Sequence, residues 1–167
     1  KINKKVCSDL ITMFDNSNQK EIVKNKYTNM NQVVVSLHDS SLKPYIKCLT
    51  KIKNKYIKKY VYVDKQQEPW TIDSNIKIQK YEPKEYYNAW HSELDGLITK
   101  QKRILVFTTY LNTINKGGET EFFYQKQKIK PITGKTIIFP AYWTHTHKGC
   151  VTNETKYIIT GWYTYVH

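Results

Sequence analysis

Apolar positions in the first third of the chain recur at helical spacing. Val6, Leu10, Ile11 and Phe14 share one helical face, and Asp15-Asn16-Ser17-Asn18 reads as its stop. Gln32 to Leu37 carries the β-branched run Val33-Val34-Val35, which predicts a buried strand. From Ser41 onward, Leu42, Tyr45, Ile46, Leu49, Ile52, Tyr56 and Tyr60 repeat at the helical period, with lysines on the outer face and Ser40-Ser41 as N-caps. The aromatic stripe of that helix reads as core contact.

After about Asp73 the texture changes to short β-rich runs. These are Ile76 to Tyr81, Tyr86 to Glu93, Arg103 to Leu111, Glu121 to Tyr124, Thr136 to Phe139, Thr144 to Lys148 and Tyr157 to Tyr165. Gly117-Gly118, Pro131 to Gly134, Pro140 and Asn153-Glu154 separate them. Short strands punctuated by turns predict an antiparallel sandwich or barrel. The expectation is one α+β domain over 1–167, in which a helical support region (1–73) packs outside a double-sheet β core (74–167).

Composition agrees with one folded domain: 167 residues, 40% hydrophobic and 25% charged. The formal charge is +13, from 27 Lys+Arg against 14 Asp+Glu, and Arg103 is the sole arginine. Such a field attracts nucleic acid or acidic polypeptides. No basic block is interleaved with stacking aromatics as in a known module, so the lysines read as a solvated surface and nucleic acid is not favoured. Cys7, Cys48 and Cys150 are odd in number and widely spaced, which excludes a disulfide framework and a CxxC metal pair. A reducing, cytoplasmic setting follows. No apolar run approaches the roughly 18 residues of a membrane span, and the amino end Lys1-Ile2-Asn3-Lys4-Lys5 has no apolar signal core.

The chemistry-bearing feature is His91-Ser92-Glu93 with a later histidine. On a strand, His91 and Glu93 project from one face, roughly 6.6 Å apart in rise. Two imidazoles and a carboxylate make a three-ligand metal face that suits non-haem Fe(II) when positions stay open. Asp95 lies on the same face, roughly 13 Å along an extended strand from His91. It is the reserve carboxylate if this stretch is helical. His145 and His147 both qualify by type as the third ligand. His38 and His167 have no such context and read as surface residues.

These residues sit in an ordered series of motifs: Tyr81, Tyr87 and Trp90-His91-Ser92-Glu93; Tyr110-Leu111-Asn112; Gly117-Gly118-Glu119-Thr120-Glu121-Phe122; Pro131, Gly134 and Phe139-Pro140; His147-Lys148-Gly149-Cys150; and Thr155-Lys156-Tyr157 with Thr160-Gly161-Trp162-Tyr163. From about Ile76 to Tyr163 the chain resembles the 2-oxoglutarate- and Fe(II)-dependent oxygenases of the prolyl 4-hydroxylase-like group, in particular small versions from viruses, phages and bacteria. The resemblance implies a double-stranded β-helix (jelly-roll, cupin-like) core with the amino-terminal helices outside. It selects His147, because the family's distal histidine precedes the basic 2-oxoglutarate residue by nine or ten positions and Lys156 follows His147 by nine (156 − 147). His145 then sits behind the metal or on the pocket rim.

By the same resemblance, His91, Glu93 and His147 are the metal ligands and catalytic set, and Lys156 takes the distal carboxylate of 2-oxoglutarate. Tyr110, Tyr81 and Thr160 reach the co-substrate, and Trp162 walls the pocket. The family usually carries Asp where this chain has Glu93; the extra methylene advances the oxygen or demands a retracted strand. The implied cofactors are Fe(II), 2-oxoglutarate and O2, with ascorbate as reductant. The implied reaction is hydroxylation of a peptidyl proline, with 2-oxoglutarate decarboxylated to succinate and CO2. The alternatives are the same chemistry on a nucleobase or small molecule, or a non-catalytic binding module of the same fold. The expected partner is a proline-containing peptide or protein, the expected state is a monomer with no membrane, and the expected location is the cytoplasm (of the host cell if viral). Substrate choice is expected to rest on loops at Lys65 to Pro69 and Gly96 to Lys102.

Overall fold

The computed structural model of the chain describes residues 1–65, 68–94 and 102–166. Helix α1 (Lys4–Asn16) starts where the Asn3 side chain accepts the Lys5 N–H, and it buries Cys7, Leu10 and Phe14 on one face. Helix α2 (Lys43–Lys59) carries the predicted stripe and buries Tyr45 and Leu49, and the four-residue α3 (Tyr62–Lys65) follows. The expected Ser40-Ser41 caps are displaced by one step. Asp39 accepts the Ser41 N–H at 2.9 Å and opens a 3-10 turn over Ser40–Leu42, which leads into α2. Asp39 precedes the first turn, and its carboxylate is a stronger acceptor than a serine hydroxyl.

Among the described residues, eleven strands form one sheet: β1 (Glu21–Lys24), β2 (Thr28–Ser36), β3 (Trp70–Ile72), β4 (Asn75–Tyr81), β5 (Tyr86–His91), β6 (Arg103–Tyr110), β7 (Thr120–Phe122), β8 (Gln127–Ile129), β9 (Thr136–Pro140), β10 (His147–Gly149) and β11 (Lys156–Tyr165). The order is β8-β7-β10-β5-β2-β4-β11-β6-β9, with β1 added to β2 and β3 to β11. The pairings among the described residues are antiparallel. A short β2–β5 contact, Thr28 with Tyr87 and Asn29 with Tyr86, joins the large half (β2, β4, β11, β6, β9) to the small half (β8, β7, β10, β5). Side chains from both halves enclose one cavity.

Strand alternation sorts the large half into two different faces. Outward, Val33, Val35, Ile76, Ile78, Leu105, Phe107, Ile159 and Tyr163 join Leu10, Phe14, Tyr45 and Leu49 of the helices in the main core. Burying each such side chain contributes about 1.5–3 kcal/mol. Inward, Gln79, Tyr81, Thr108, Tyr110, Lys156 and Thr160 line the cavity. A smaller apolar cluster of Val106, Phe122, Phe139, Ala141 and Trp162 closes the space between the halves.

Several expectations need correction. The stretch 1–73 is not only helical support, because β2 sits in the middle of the sheet and β1 and β3 extend it. These short flanking strands, and β8, carry little apolar alternation and left no pattern to read. Within β2, Val33 and Val35 are buried but Val34 is 37% exposed. The predicted strand Thr144 to Lys148 splits into a 3-10 turn (Trp143–His145) and β10. β5 ends at His91, so Glu93 lies past the strand. Asp95, His167 and most of Gly96 to Lys102 lie outside the described residues, as do Gln66 and Gln67. Among the described residues, no helix is long and apolar enough to cross a membrane.

Gly161 faces outward opposite Phe107, its cross-strand partner. A Cβ there would come within 2.5 Å of Phe107 Cζ, and the Phe107 ring is fully buried between Tyr45 and Tyr163. The ring has nowhere to retreat. Gly161→Ala is therefore expected to destabilise the fold by about 1–3 kcal/mol. Urea unfolding should show a lower midpoint at unchanged slope; an unchanged midpoint would mean the ring yields freely.

Candidate active site

His147 on β10 and His91 on β5 are cross-strand partners, which brings their rings to a centroid distance of 4.4 Å. Each Nδ1–H donates to a carbonyl two residues back, His91 to Ala89 at 2.8 Å and His147 to His145 at 3.0 Å. In the neutral ring this places the proton on Nδ1 and leaves the Nε2 lone pair facing inward. Phe122 and Phe139 pack against the His147 ring at 5.7 and 4.9 Å.

Glu93 completes the group. Its Oε1 lies 3.5 Å from His91 Nε2 and 3.7 Å from His147 Nε2. One ligand atom from each of the three residues lies within 4.8 Å of the others. The other oxygen, Oε2, accepts the Trp162 indole N–H at 3.0 Å and Arg103 Nη1–H at 3.4 Å. Arg103 also donates to the Glu93 carbonyl, and its guanidinium stacks 3.6 Å over the Trp162 ring. The backbone bends after β5: Ser92 Oγ–H donates to the Leu94 carbonyl and Leu94 N–H to the Ala141 carbonyl.

Burial pushes the Glu93 carboxyl up, but His91, His147 and Arg103 outweigh it and hold it down at about 2. His147 is lowered to about 4, first by burial and then by His91. Near neutral pH, Glu93 is an anion facing the Nε2 of a neutral His147. Ligand atoms of His91, Glu93 and His147 thus converge within 4.8 Å of one another, a spacing at which one cation could contact all three. The donor set, two imidazole nitrogens and a carboxylate oxygen, fits a divalent transition ion such as Fe(II).

The same cavity, about 280 Å³, is lined by Lys156, Tyr81, Tyr110, Thr160 and Trp162. Lys156 is 6% exposed. Its Nζ donates to the Gly118 carbonyl at 3.3 Å and lies 4.6 Å over the Tyr81 ring. Among the described residues, no carboxylate pairs with it. Gly118 has φ +72, and a Cβ there would press on Ile114 and on the Lys156 stem, so glycine lets the lysine lie flat. Asn112 fixes the start of β11, donating to the Thr155 carbonyl and accepting the Tyr157 N–H, both at 2.8 Å. Alternation then turns Lys156 inward.

The other sequence-derived residues line the same cavity and make contacts of their own. Tyr81 O–H donates to Gln79 at 3.2 Å, and Tyr110 O–H donates to Thr120 at 2.6 Å. The Thr160 hydroxyl is 3.0 Å from that of Thr108. Trp162 is more than a wall, since it anchors Glu93. His145 reaches the site through its carbonyl, while its ring stacks on Phe139. Arg103 was not expected here; its being the lone arginine was the available signal. Gln79 and Thr108 were also missed, because polar residues on a strand ordinarily read as solvent-facing.

An unpaired buried ammonium is costly. Burial lowers Lys156 to about 8, against the upward pull of Cys150 and Glu119. A lysine depressed in the folded state weakens the fold below the folded value, and the penalty fades as pH rises through 8 toward the unfolded value. Lys156→Met should thus be more stable than the parent at pH 7 by about 1–3 kcal/mol, with the gap closing above about pH 8. Urea midpoints across pH test this; a variant less stable at pH 7 would show the ammonium to be satisfied.

A family model described as the 2OG-Fe(II) oxygenase superfamily matches residues 76–164. No curated protein matches the sequence directly. Among solved structures, the viral collagen prolyl hydroxylase of Paramecium Bursaria Chlorella virus-1, in its 2OG complex, is similar over 98% of this chain and 92% of its own, with TM-score 0.76 and 21% identity. A Pseudomonas putida prolyl-4-hydroxylase matches 99% of this chain and 89% of its own, with TM-score 0.76 and 12% identity. A Trichoplax adhaerens prolyl hydroxylase, in complex with a hypoxia inducible factor peptide fragment, matches 96% and 78%, with TM-score 0.73 and 16% identity. At such identities the likeness concerns the fold, and it is the jelly-roll core with outer helices that the sequence led us to expect. Since the family match spans more than half of the 167 residues, the protein belongs to the 2OG-Fe(II) oxygenase superfamily and is an oxygenase that uses Fe(II), 2-oxoglutarate and O2.

Proposed function

We propose that the protein hydroxylates a peptidyl proline, with His91, Glu93 and His147 holding Fe(II) and Lys156 holding 2-oxoglutarate. The observation that carries this reading is one cavity that brings together a donor group of two imidazoles and a carboxylate and the buried ammonium of Lys156. The bound iron supplies oxygen activation, through which substrate, 2-oxoglutarate and O2 become hydroxylated product, succinate and CO2.

The protein's own residues orient and shield. Trp162 and Arg103 occupy Glu93 Oε2 and leave Oε1 for the ion. The carbonyls of Ala89 and His145 fix both imidazoles by their Nδ1–H groups. Phe122 and Phe139 cover His147 and keep water from its ring. Lys156 meets the distal carboxylate of the co-substrate, and Tyr81, Tyr110 and Thr160 offer hydroxyls along the same wall. Proline as the target is supported by the prolyl hydroxylases among the structural relatives, one of them holding a peptide. Three free thiols, Cys7, Cys48 and Cys150, support a reducing cytoplasm as the working compartment, and we propose a monomer.

His147→Ala is expected to lower Fe(II)-dependent succinate formation by more than about 100-fold. His145→Ala keeps the backbone carbonyl and should lose far less. Equal turnover in His147→Ala and the parent would remove His147 from the ligand set. Lys156→Ala should raise the 2-oxoglutarate concentration for half-maximal turnover about 100-fold, since losing one member of a buried charge pair costs about 2–5 kcal/mol. An unchanged requirement would place the distal carboxylate elsewhere. The target itself is read by mass spectrometry, as one added oxygen atom on proline peptides that appears only with 2-oxoglutarate.

A further inference from the structure

Helix α2 carries a charge pattern that the chemistry above does not use. It holds seven lysines and no acidic residue among its 17 residues. Lys43, Lys47, Lys51, Lys55 and Lys58 are exposed. At 3.6 residues per turn these five fall within a sector of about 120° and extend over about 22 Å of helix. Among the described residues, none of the five takes part in an ion pair. The other two lysines are engaged, Lys53 at 5.4 Å over the Trp70 ring and Lys59 at 5.1 Å over the Tyr60 ring. Like charges one turn apart weaken a helix, and a polyanion laid along the ridge removes that repulsion.

The flanking elements do not supply the counter-charge. In α1, Asp9 is bridged to Lys5 at 3.0 Å and Asp15 accepts the Tyr157 O–H at 2.9 Å. Asp39, ahead of α2, accepts the Ser41 N–H, and Asp64 stands in α3 beside Lys65. The opposite side of α2 is buried, where Tyr45 and Leu49 meet the outward face of the large half-sheet. The cavity lies on the other face of that sheet. Along the chain these lysines read as a scattered, solvated surface; the fold gathers five of them into one ridge.

We infer that the α2 ridge is a docking surface for the phosphate backbone of duplex nucleic acid, bound without regard to sequence. Lysine ammoniums are point charges suited to phosphates, whereas base edges are read mainly by arginine, asparagine and glutamine. The other exposed residues among and beside the five are Pro44, Thr50 and Asn54. None is a large apolar or aromatic anchor, and a protein interface needs such anchors and is poor in lysine. A helix that binds a bilayer inserts its apolar face, and here that face is in the core. A single strand is held by stacking on aromatic rings, which this sector lacks. A duplex carries about one phosphate charge per 1.7 Å of axis, which matches a ridge that offers cations alone. Such docking leaves the cavity open and is independent of the substrate it takes.

The test is fluorescence anisotropy of the full chain with a short labelled duplex, repeated across salt concentrations. The parent should lose affinity with a log–log salt slope of about −4.5, about 0.9 for each of the five lysines. Lys47→Gln/Lys51→Gln/Lys55→Gln should bring the slope to about −2. The control Lys84→Gln/Lys116→Gln/Lys126→Gln removes the same charge from exposed positions outside α2 and should keep the parent slope. Far-UV circular dichroism should show the ridge variant as helical as the parent, because it relieves like-charge pairs. A duplex of unrelated sequence should bind equally well; a strong preference would move the contact to base edges and overturn the backbone assignment. Equal weakening in the ridge and control variants would make the binding an effect of net charge and overturn the proposal, as would no duplex binding at low salt. Phosphatidylserine vesicles and polyglutamate are the competing partners. Ridge-dependent binding to either, without ridge-dependent duplex binding, overturns the proposal in favour of a membrane or an acidic polypeptide.

Discussion

The cavity is organised by charged and electron-rich groups buried close together. Ligand atoms of His91, Glu93 and His147 lie within 4.8 Å of one another, with the Nδ1 side of each imidazole held by a backbone carbonyl. On the wall of the same space lies the Lys156 ammonium, with a backbone carbonyl and a tyrosine ring as its neighbours. Burying that ammonium costs stability, which an anion bound beside it would return.

The outer face of the large half-sheet makes this tolerable. Its apolar side chains lock with α1 and α2 into a core that owes nothing to the cavity. The Phe107–Gly161 contact and the Tyr45–Thr109 hydrogen bond at 3.0 Å tie helix and sheet together there. A strand that is apolar on one side and polar on the other therefore does two jobs, holding the fold together and presenting chemistry. In β11 the alternation runs Lys156, Ile158, Thr160 and Trp162 toward the cavity, and Tyr157, Ile159, Gly161 and Tyr163 toward the helices.

Precision at the His91–Glu93–His147 group comes from backbone as much as from side chains. Two carbonyls orient the imidazoles, and the bend at Ser92–Glu93 sets the reach of the carboxylate. Arg103 and Trp162 act as a pair, the guanidinium lying on the indole while both donate to one Glu93 oxygen. A glutamate in this position has more rotamers than an aspartate, and two donors on one oxygen remove most of that freedom.

Much of this was legible along the chain. The periodicity of Val6 to Phe14 and of Leu42 to Tyr56 reports α1 and α2, because a helix face is a local property of spacing. Alternation likewise places Lys156 and Thr160 on one face of β11, and motif order brings His91, Glu93, His147 and Lys156 to a single cavity. What the tertiary structure alone decided is whatever depends on partners distant in sequence. The central place of β2 rests on hydrogen bonds to β4 and β5. The Glu93 carboxylate is held by Trp162 and Arg103, the chain just after it by the Leu94 N–H to Ala141 carbonyl bond, and Arg103 in turn lies on Trp162. Alternation and spacing are written into neighbouring residues, whereas those contacts exist only once the two halves of the sheet have closed.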